Sequence, residues 1–191
     1  MNATSENGKK LALSLRTRQL SKLPDERRVW DITREQAVWN ASETAVLISD
    51  MWDKHWSRGA TKRVSEMAPA VDAFISRLRD AGALIVHAPS GTMDFYADSP
   101  ARKRLLAAEL VPLPEYREKE WIPLPIDDSD GGSDTGEPEE EVNRGVWTRQ
   151  NSRIRIDEEK DIIAGDEGHL IYSYFVKRGI RNMLILGVHT N

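Results

Sequence analysis

Three short runs of apolar and β-branched residues stand out along the chain, and each predicts a strand buried on both faces. They occupy residues 44–49, 84–88 and 183–188. Between the first two runs, apolar residues recur at steps of three and four, which predicts an amphipathic helix that ends before Gly82. Pro69 lies within this stripe and predicts a kink or a restart. A strand, a helix and a second strand at this spacing form a βαβ unit with parallel strands.

The remaining pattern adds two helices and two further strand segments. One short helix is predicted over residues 100–110 with Pro100 in its first turn, and another precedes Gly179. Residues 146–150 and 154–156 have the character of strands. The pattern therefore predicts an α/β fold: a doubly wound, mostly parallel sheet with helices on both faces, in a Rossmann-like three-layer arrangement.

The chain divides into an N-terminal arm, residues 1–43, and a domain, residues 44–191. We expect the arm to pack on the domain mainly through Trp30 and Trp39. Within the domain, residues 111–145 form a long, partly acidic loop, expected to be solvated. A strand buried on both faces needs a helix to cover it, and none follows the last strand. The expectation is that the C-terminal part of the domain is missing from this sequence; the alternative is a polar C-terminus after an edge strand.

The composition of the chain excludes several classes of function. The formal net charge is −4, with 39% hydrophobic and 30% charged residues, and the basic residues are scattered among acidic ones, which argues against nucleic-acid binding. No apolar run approaches the length of a membrane span, and the first residues lack the apolar core of a secretory signal, so we expect a cytoplasmic protein. The chain contains no cysteine, which excludes disulfides, thiolate metal sites and thiol nucleophiles from these residues.

Asp50 directly follows the first buried strand. In open α/β sheets ligands bind outside the carboxyl ends of the strands, and a carboxylate there, partly desolvated by Met51, Trp52 and Trp56, suits a general base. The alternative is an aspartate that caps the following turn, and position alone leaves both open. Trp52, His55 and Trp56 are candidate pocket walls, with an ordinary core role as the alternative.

Two motifs at the strand ends resemble a known family. The first is the apolar strand that ends in Asp-Met, residues 46–51. The second is Gly-Ile before the last strand, residues 179–180, followed by Gly-Val-His-Thr-Asn at 187–191. Together they resemble the signatures of the isochorismatase-like cysteine hydrolases, which include the nicotinamidases, and the resemblance extends over residues 44–191. In that family one further residue and then the nucleophilic cysteine follow, so we expect the cysteine just beyond Asn191.

The resemblance implies a mechanism. Asp50 would take the proton of the cysteine thiol, and the thiolate would attack an amide-type carbonyl to give a thioester. Water activated by the same carboxylate would then hydrolyse the thioester. The oxyanion region is implied to comprise Val188, His189, Thr190 and Asn191, with a cis peptide bond between the first two.

The family site also contains a lysine, and the matching stretch, residues 147–152, has none. Arg149 is the nearest cation and is the candidate replacement: it can lower the pKa of a thiol but cannot shuttle protons. Its alternative role is that of a surface residue paired with the acidic loop. From the same stretch, Trp147 and Gln150 are expected to contact the substrate.

We predict neither a metal nor a cofactor. Nicotinamidases carry an Asp-x-His metal motif, and this chain has Asp94-Phe95-Tyr96 there. The four histidines lie in separate segments, and His87 is expected to be a satisfied core or strand-end histidine. The residues after the first two strands also lack the glycine fingerprint of a nucleotide site.

The sequence thus predicts a hydrolase that cleaves a C–N bond in a small-molecule substrate, without nucleic-acid or membrane partners. As in many members of the family, a homo-oligomer is expected. The alternatives are a catalytically inactive binding module and a cysteine-independent vinyl ether hydrolase.

Overall fold

The structure, a computed structural model, describes residues 8–115 and 146–188. In chain order its strands and helices are β1 (Lys10–Lys22), β2 (Arg28–Asn40), β3 (Thr44–Ser49), α1 (Arg58–Ala81), β4 (Leu84–Ala88), α2 (Pro100–Leu106), β5 (Ile162–Ile163), α3 (Gly168–Arg178) and β6 (Asn182–Gly187). Strands β3 to β6 form a four-stranded parallel sheet in the order β5-β4-β3-β6. The predicted α/β class and the parallel pairing of the first two buried strands are confirmed.

Each face of this sheet carries its own apolar core. Because side chains alternate along a strand, Val46 and Ile48 of β3 face a cluster that α1 completes with Ala68 and Ile75. Ala45 of β3 faces the opposite cluster, which contains Leu84 and Val86 of β4, Leu105 of α2 and Tyr174 of α3. The helices therefore contact the sheet from both sides.

Local signals define the helix ends. Ser57 caps α1 by accepting a hydrogen bond from the Ala60 N–H at 3.0 Å, and Gly82 ends the helix in the left-handed conformation, with φ +103°. The helix continues through Pro69, so the predicted restart is not seen. Ser99 caps α2 and Pro100 occupies its first turn, as expected, but α2 ends at Leu106.

The N-terminal arm has more structure than the sequence pattern predicted. Strands β1 and β2 form a 13-residue antiparallel hairpin, registered from Lys10 opposite Asn40 to Lys22 opposite Arg28. Trp30 is 47% exposed. Thus Trp30 is not the docked anchor that was expected, and cross-strand pairing is what orders this segment.

Two strand predictions in the second half of the chain are wrong. Residues 146–150 and 154–156 form no strand beyond a single bridge between Trp52 and Gln150. The edge strand is instead β5, two buried isoleucines whose pairing with β4 could not be read from so short a run. In β6, Met183 and Ile185 are exposed, so within the described residues this strand is buried on one face, not on both.

Among the described residues, no helix is long and apolar enough to cross a membrane.

Candidate active site at the carboxyl ends of the strands

The candidate site lies where the order of the strands reverses. From β3 the chain moves through β4 to β5 on one side, and β6 then returns to pair with β3 on its other side. In parallel α/β sheets the crevice for ligands lies at this switch point, outside the carboxyl ends of the strands. Asp50 directly follows β3 and Val188 follows β6, so the end of the first motif and the Gly187-Val188 pair of the second lie next to each other at this point.

Gly187 permits the close approach of the two strand ends. Its φ is +122°, and a Cβ atom built on it would lie 2.1 Å from the Ser49 carbonyl oxygen. The next residue, Val188, donates its N–H to the same oxygen at 3.0 Å. Only glycine fits here, because any side chain would collide with the backbone of β3.

The backbone and side chain of Asp50 are both held in place. Asp50 has φ +48°, a left-handed conformation that aspartate tolerates better than most residues. Its Oδ1 accepts hydrogen bonds from the Ser90 N–H at 3.0 Å and from the Ser90 hydroxyl at 2.6 Å. Its Oδ2 has a 3.4 Å contact with the Ser49 hydroxyl. One carboxylate oxygen is therefore anchored, and the other keeps most of its acceptor capacity.

An aromatic stack forms a wall beside this carboxylate. The rings of Trp52 and Trp147 are parallel within 9°, with centroids 4.1 Å apart. His55 stacks at 5.6 Å from Trp147 and contacts Trp56 at 4.8 Å. The Trp52 indole N–H donates to the Ser90 carbonyl at 3.0 Å, which ties the stack to the residue that anchors Asp50.

Asp53 docks the segment that carries Trp147. Its carboxylate accepts hydrogen bonds from the Thr148 N–H at 2.9 Å and the Thr148 hydroxyl at 2.6 Å. Partial burial acts to raise the pKa of Asp53, but these bonds and one from the Arg149 N–H outweigh it, and the pKa lies below its ordinary value. A further bond, from the Asn151 N–H to the Met51 carbonyl at 2.7 Å, completes the attachment.

The remaining predicted site residues lie apart from this wall. The Arg149 guanidinium lies over the Phe95 ring, 5.3 Å from its centroid, and no hydrogen bond or ion pair joins it to Asp50 within the described part of the chain. Gln150 is 3% exposed, and its side-chain amide is bonded inside the core. His189, Thr190 and Asn191 lie outside the described residues, and so does the predicted cis bond.

A buried polar network joins β4, α1 and the residue that precedes β5. His87 is fully buried, and its ring nitrogens lie 3.0 Å from Gln150 Oε1 and 3.0 Å from Asp161 Oδ2. Arg79 donates to both oxygens of Asp161, at 2.8 and 2.6 Å. Burial acts to raise the pKa of Asp161, but the bonds from His87 and Arg79 hold it below its ordinary value. The expectation of a satisfied core histidine at position 87 is confirmed.

Two residues of the site were not found from the sequence. Ser90 anchors Asp50, and Asp53 docks the Trp147 segment. A signal for Ser90 exists, because it lies just beyond the end of β4, at the same edge of the sheet as Asp50. No comparable signal marks Asp53, since its partner Thr148 is 95 residues away along the chain.

Within the described ranges, no group of three or more histidine, aspartate and glutamate side chains could hold a metal ion. The chain matches no model of a known protein family and no curated protein.

Proposed function

We propose that this chain carries the general base and the substrate cleft of a hydrolase that cleaves a C–N bond in a small carbonyl compound, in the manner of the isochorismatase-like cysteine hydrolases. One observation carries the proposal: Asp50 lies at the switch point of the sheet, with one carboxylate oxygen anchored by Ser90 and the other available as an acceptor. A general base needs this combination of fixed position and free lone pairs.

In this proposal Asp50 removes the proton of a thiol, and the thiolate adds to the substrate carbonyl. The amine leaves with the proton returned by Asp50 and a thioester forms; the regenerated carboxylate then takes a proton from water, which hydrolyses the thioester to the acid and the free thiol. The 191 residues contain no cysteine, so the thiol is not among them. What these residues supply is the base, its anchor and the wall of the cleft.

The aromatic stack favours a planar substrate. The stack of Trp52 on Trp147 is tied to the anchor of Asp50 by the bond from the Trp52 indole to Ser90, so it gives the site an apolar, aromatic side that suits planar amides or ring compounds. Stacking also excludes water from one side of the reacting carbonyl, which strengthens hydrogen bonds made there. The charge of Arg149, proposed as a replacement for the family lysine, would act at a distance, because its guanidinium lies over Phe95.

A second candidate is favoured by the absence of cysteine. A relative that hydrolyses a vinyl ether needs the aspartate but no thiol, and a binding module needs neither. Both would use the same cleft. We also propose that the domain has a doubly wound three-layer arrangement, that the protein is cytoplasmic and that it forms a homo-oligomer. The first is supported by the separate cores on the two faces of the sheet.

The experiment adds a thiol where the resemblance expects it. The chain is lengthened by one alanine and one cysteine after Asn191, and the rate of labelling by iodoacetamide is measured at pH 7. We expect labelling faster than that of a small free thiol. In the Asp50→Asn form of the lengthened chain, we expect labelling to slow by roughly tenfold, because the base is lost.

The matched control is Asp98→Asn in the same lengthened chain, since Asp98 is an exposed aspartate outside the cleft. Its labelling rate should equal that of the parent. Equal rates for the parent and Asp50→Asn would contradict the base assignment. Hydrolysis of a vinyl ether by the 191-residue chain, abolished by Asp50→Asn, would favour the second candidate.

A further inference from the structure

A cavity lies at the opposite end of the sheet from Asp50. Its volume is about 290 Å³. Among its lining residues are Leu84, which begins β4, and Ser42 and Ile180, which shortly precede β3 and β6. These positions place the cavity at the amino ends of the strands, and its lining contains neither Asp50 nor any residue of the aromatic stack.

Positive side chains dominate the polar lining of this cavity. Arg79, Arg104, Lys160 and Arg178 line it, against a single acidic side chain, that of Glu159. Arg79 pairs with Asp161 and Lys160 pairs with Asp157. Within the described residues, no carboxylate pairs with Arg104 or Arg178. Two of the four cations thus remain available to an incoming anion.

Arg104 is held in a fixed orientation. Its guanidinium donates to the carbonyl oxygens of Asp161 and Glu158, the latter at 2.8 Å. These partners are neutral, so they orient the side chain and leave its charge uncompensated. A preorganised guanidinium loses little conformational freedom on binding and offers several N–H donors in one plane, which suits an oxyanion.

Tyr174 supplies a polar group without a partner. The residue is 8% exposed and lines the cavity, and its hydroxyl makes no hydrogen bond to any described residue. Among the described residues, every fully buried side-chain nitrogen or oxygen has a partner. The Tyr174 hydroxyl must therefore reach solvent, and Tyr174 is one of the residues that line this cavity. A mostly buried hydroxyl of this kind is an available donor for a ligand.

We propose that this cavity binds a small oxyanion of the phosphate class. Arg104 and Arg178 supply the charge, and the Tyr174 hydroxyl donates a hydrogen bond. Cavities for drug-sized ligands start near ~300 Å³, so this cavity suits a phosphate or a compact phosphomonoester rather than a nucleotide. Arg79, Arg104 and Arg178 also lie in the last turns of α1, α2 and α3, where cations offset the negative helix ends. That role does not account for the hydroxyl of Tyr174.

The test is isothermal titration of the chain with inorganic phosphate at constant ionic strength, with chloride as the reference anion. We expect saturable binding of phosphate and none of chloride. Tyr174→Phe should weaken binding roughly tenfold, because one hydrogen bond to a charged ligand is lost. Tyr172→Phe removes a hydroxyl from the same helix outside the cavity and should leave the dissociation constant unchanged.

Two variants that change the charge of the cavity provide a second, independent test. Arg178→Gln should weaken phosphate binding, and Glu159→Gln should strengthen it, since the latter removes the one opposing charge. Circular dichroism checks that each variant keeps its fold. No saturable phosphate binding by the folded parent chain overturns the proposal. Equal weakening by Tyr174→Phe and Tyr172→Phe, or no response to either charge change, overturns it as well.

Discussion

Asp161 and Asp50 both lie beside the parallel sheet, and their carboxylates are held in different ways. Asp161 is fully buried, and its oxygens accept hydrogen bonds from Arg79, from His87 and from the Asp157 N–H. Asp50 is half-buried, with one oxygen bonded to Ser90 and the other making a single long contact. The first carboxylate has its acceptor sites filled by the fold, whereas the second retains capacity for a proton or a substrate.

The difference shows what burial does to a charged group. A buried carboxylate is tolerated only when cations and N–H groups replace the lost water. Its lone pairs are then occupied, so none is available to accept a hydrogen bond from a ligand. A carboxylate at a strand end can be fixed by one neighbour and still face the cleft. The neighbours of each aspartate therefore indicate a structural role for Asp161 and support the proposed chemical role for Asp50.

The largest expected effect comes from removing the buried carboxylate. Asp161→Ala leaves Arg79 and His87 without their partner, and we expect the free energy of unfolding to fall by about 3–5 kcal/mol, measured by urea denaturation. The comparison variant is Asp50→Asn, which keeps an oxygen for Ser90 and should cost less than about 1 kcal/mol. Similar losses for the two variants would erase the distinction between the aspartates.

A smaller effect is expected at the strand end that carries Asp50. Gly187→Ala adds a collision with the Ser49 carbonyl to a strained positive φ, and we expect the free energy of unfolding to fall by about 2–3 kcal/mol. Gly179→Ala is the matched control, because that glycine has φ +69° and open space around its Cβ position. A larger loss of stability at position 187 than at 179 would show that the close approach of Gly187 to Ser49, and not the positive φ alone, requires glycine there. Equal losses would show that the two strand ends can separate without cost.

The smallest effect concerns pH. The pKa of Asp161 is lowered in the folded protein, so its stabilising contribution is complete above the unfolded pKa near ~3.9. That contribution is lost as the pH falls through the lower, folded value. Protonation leaves the side chain in place, so the effect should be smaller than that of truncation.

Urea denaturation between pH 6 and pH 3 measures this dependence. We expect a shallower fall in stability for Asp161→Asn than for the parent chain. The exposed aspartate variant Asp98→Asn serves as the reference and should follow the parent. A parallel decline for Asp161→Asn and the parent would show that other carboxylates cause the acid sensitivity.

Much of the central fold could be predicted from the sequence because its signals are local. Buried strands β3 and β4 follow from uninterrupted apolar runs, and the stripe between them defines α1 together with its glycine stop. The position of Asp50 at a strand end follows from the same pattern. Strand β5 could not be found this way, since two residues carry no periodicity.

The hairpin of β1 and β2 could not be predicted from the sequence for a different reason. The first half of β1 does alternate, with Leu11, Leu13 and Leu15 on one face, but charged and polar residues fill most of the remaining positions of both strands, and the whole segment resembles a loose arm. Their order comes from backbone pairing across thirteen positions, a property of the register rather than of any single residue. The predicted strands at 146–150 and 154–156 failed for the converse reason: side chains hold them instead of a sheet, since Asp53 accepts from the Thr148 N–H and Asp72 accepts from the Arg155 N–H.

By itself, then, the sequence determined the α/β class, the βαβ unit and the placement of an acidic residue at a strand end. These depend on spacing along the chain, which is visible in one dimension. Only the tertiary structure decided that Ser90 anchors Asp50 and that Trp147 stacks on Trp52. It also decided that Arg79 and His87 occupy the hydrogen-bonding sites of Asp161. Those pairs lie 40 to 95 residues apart in sequence, and only the sheet and its crossovers bring them together.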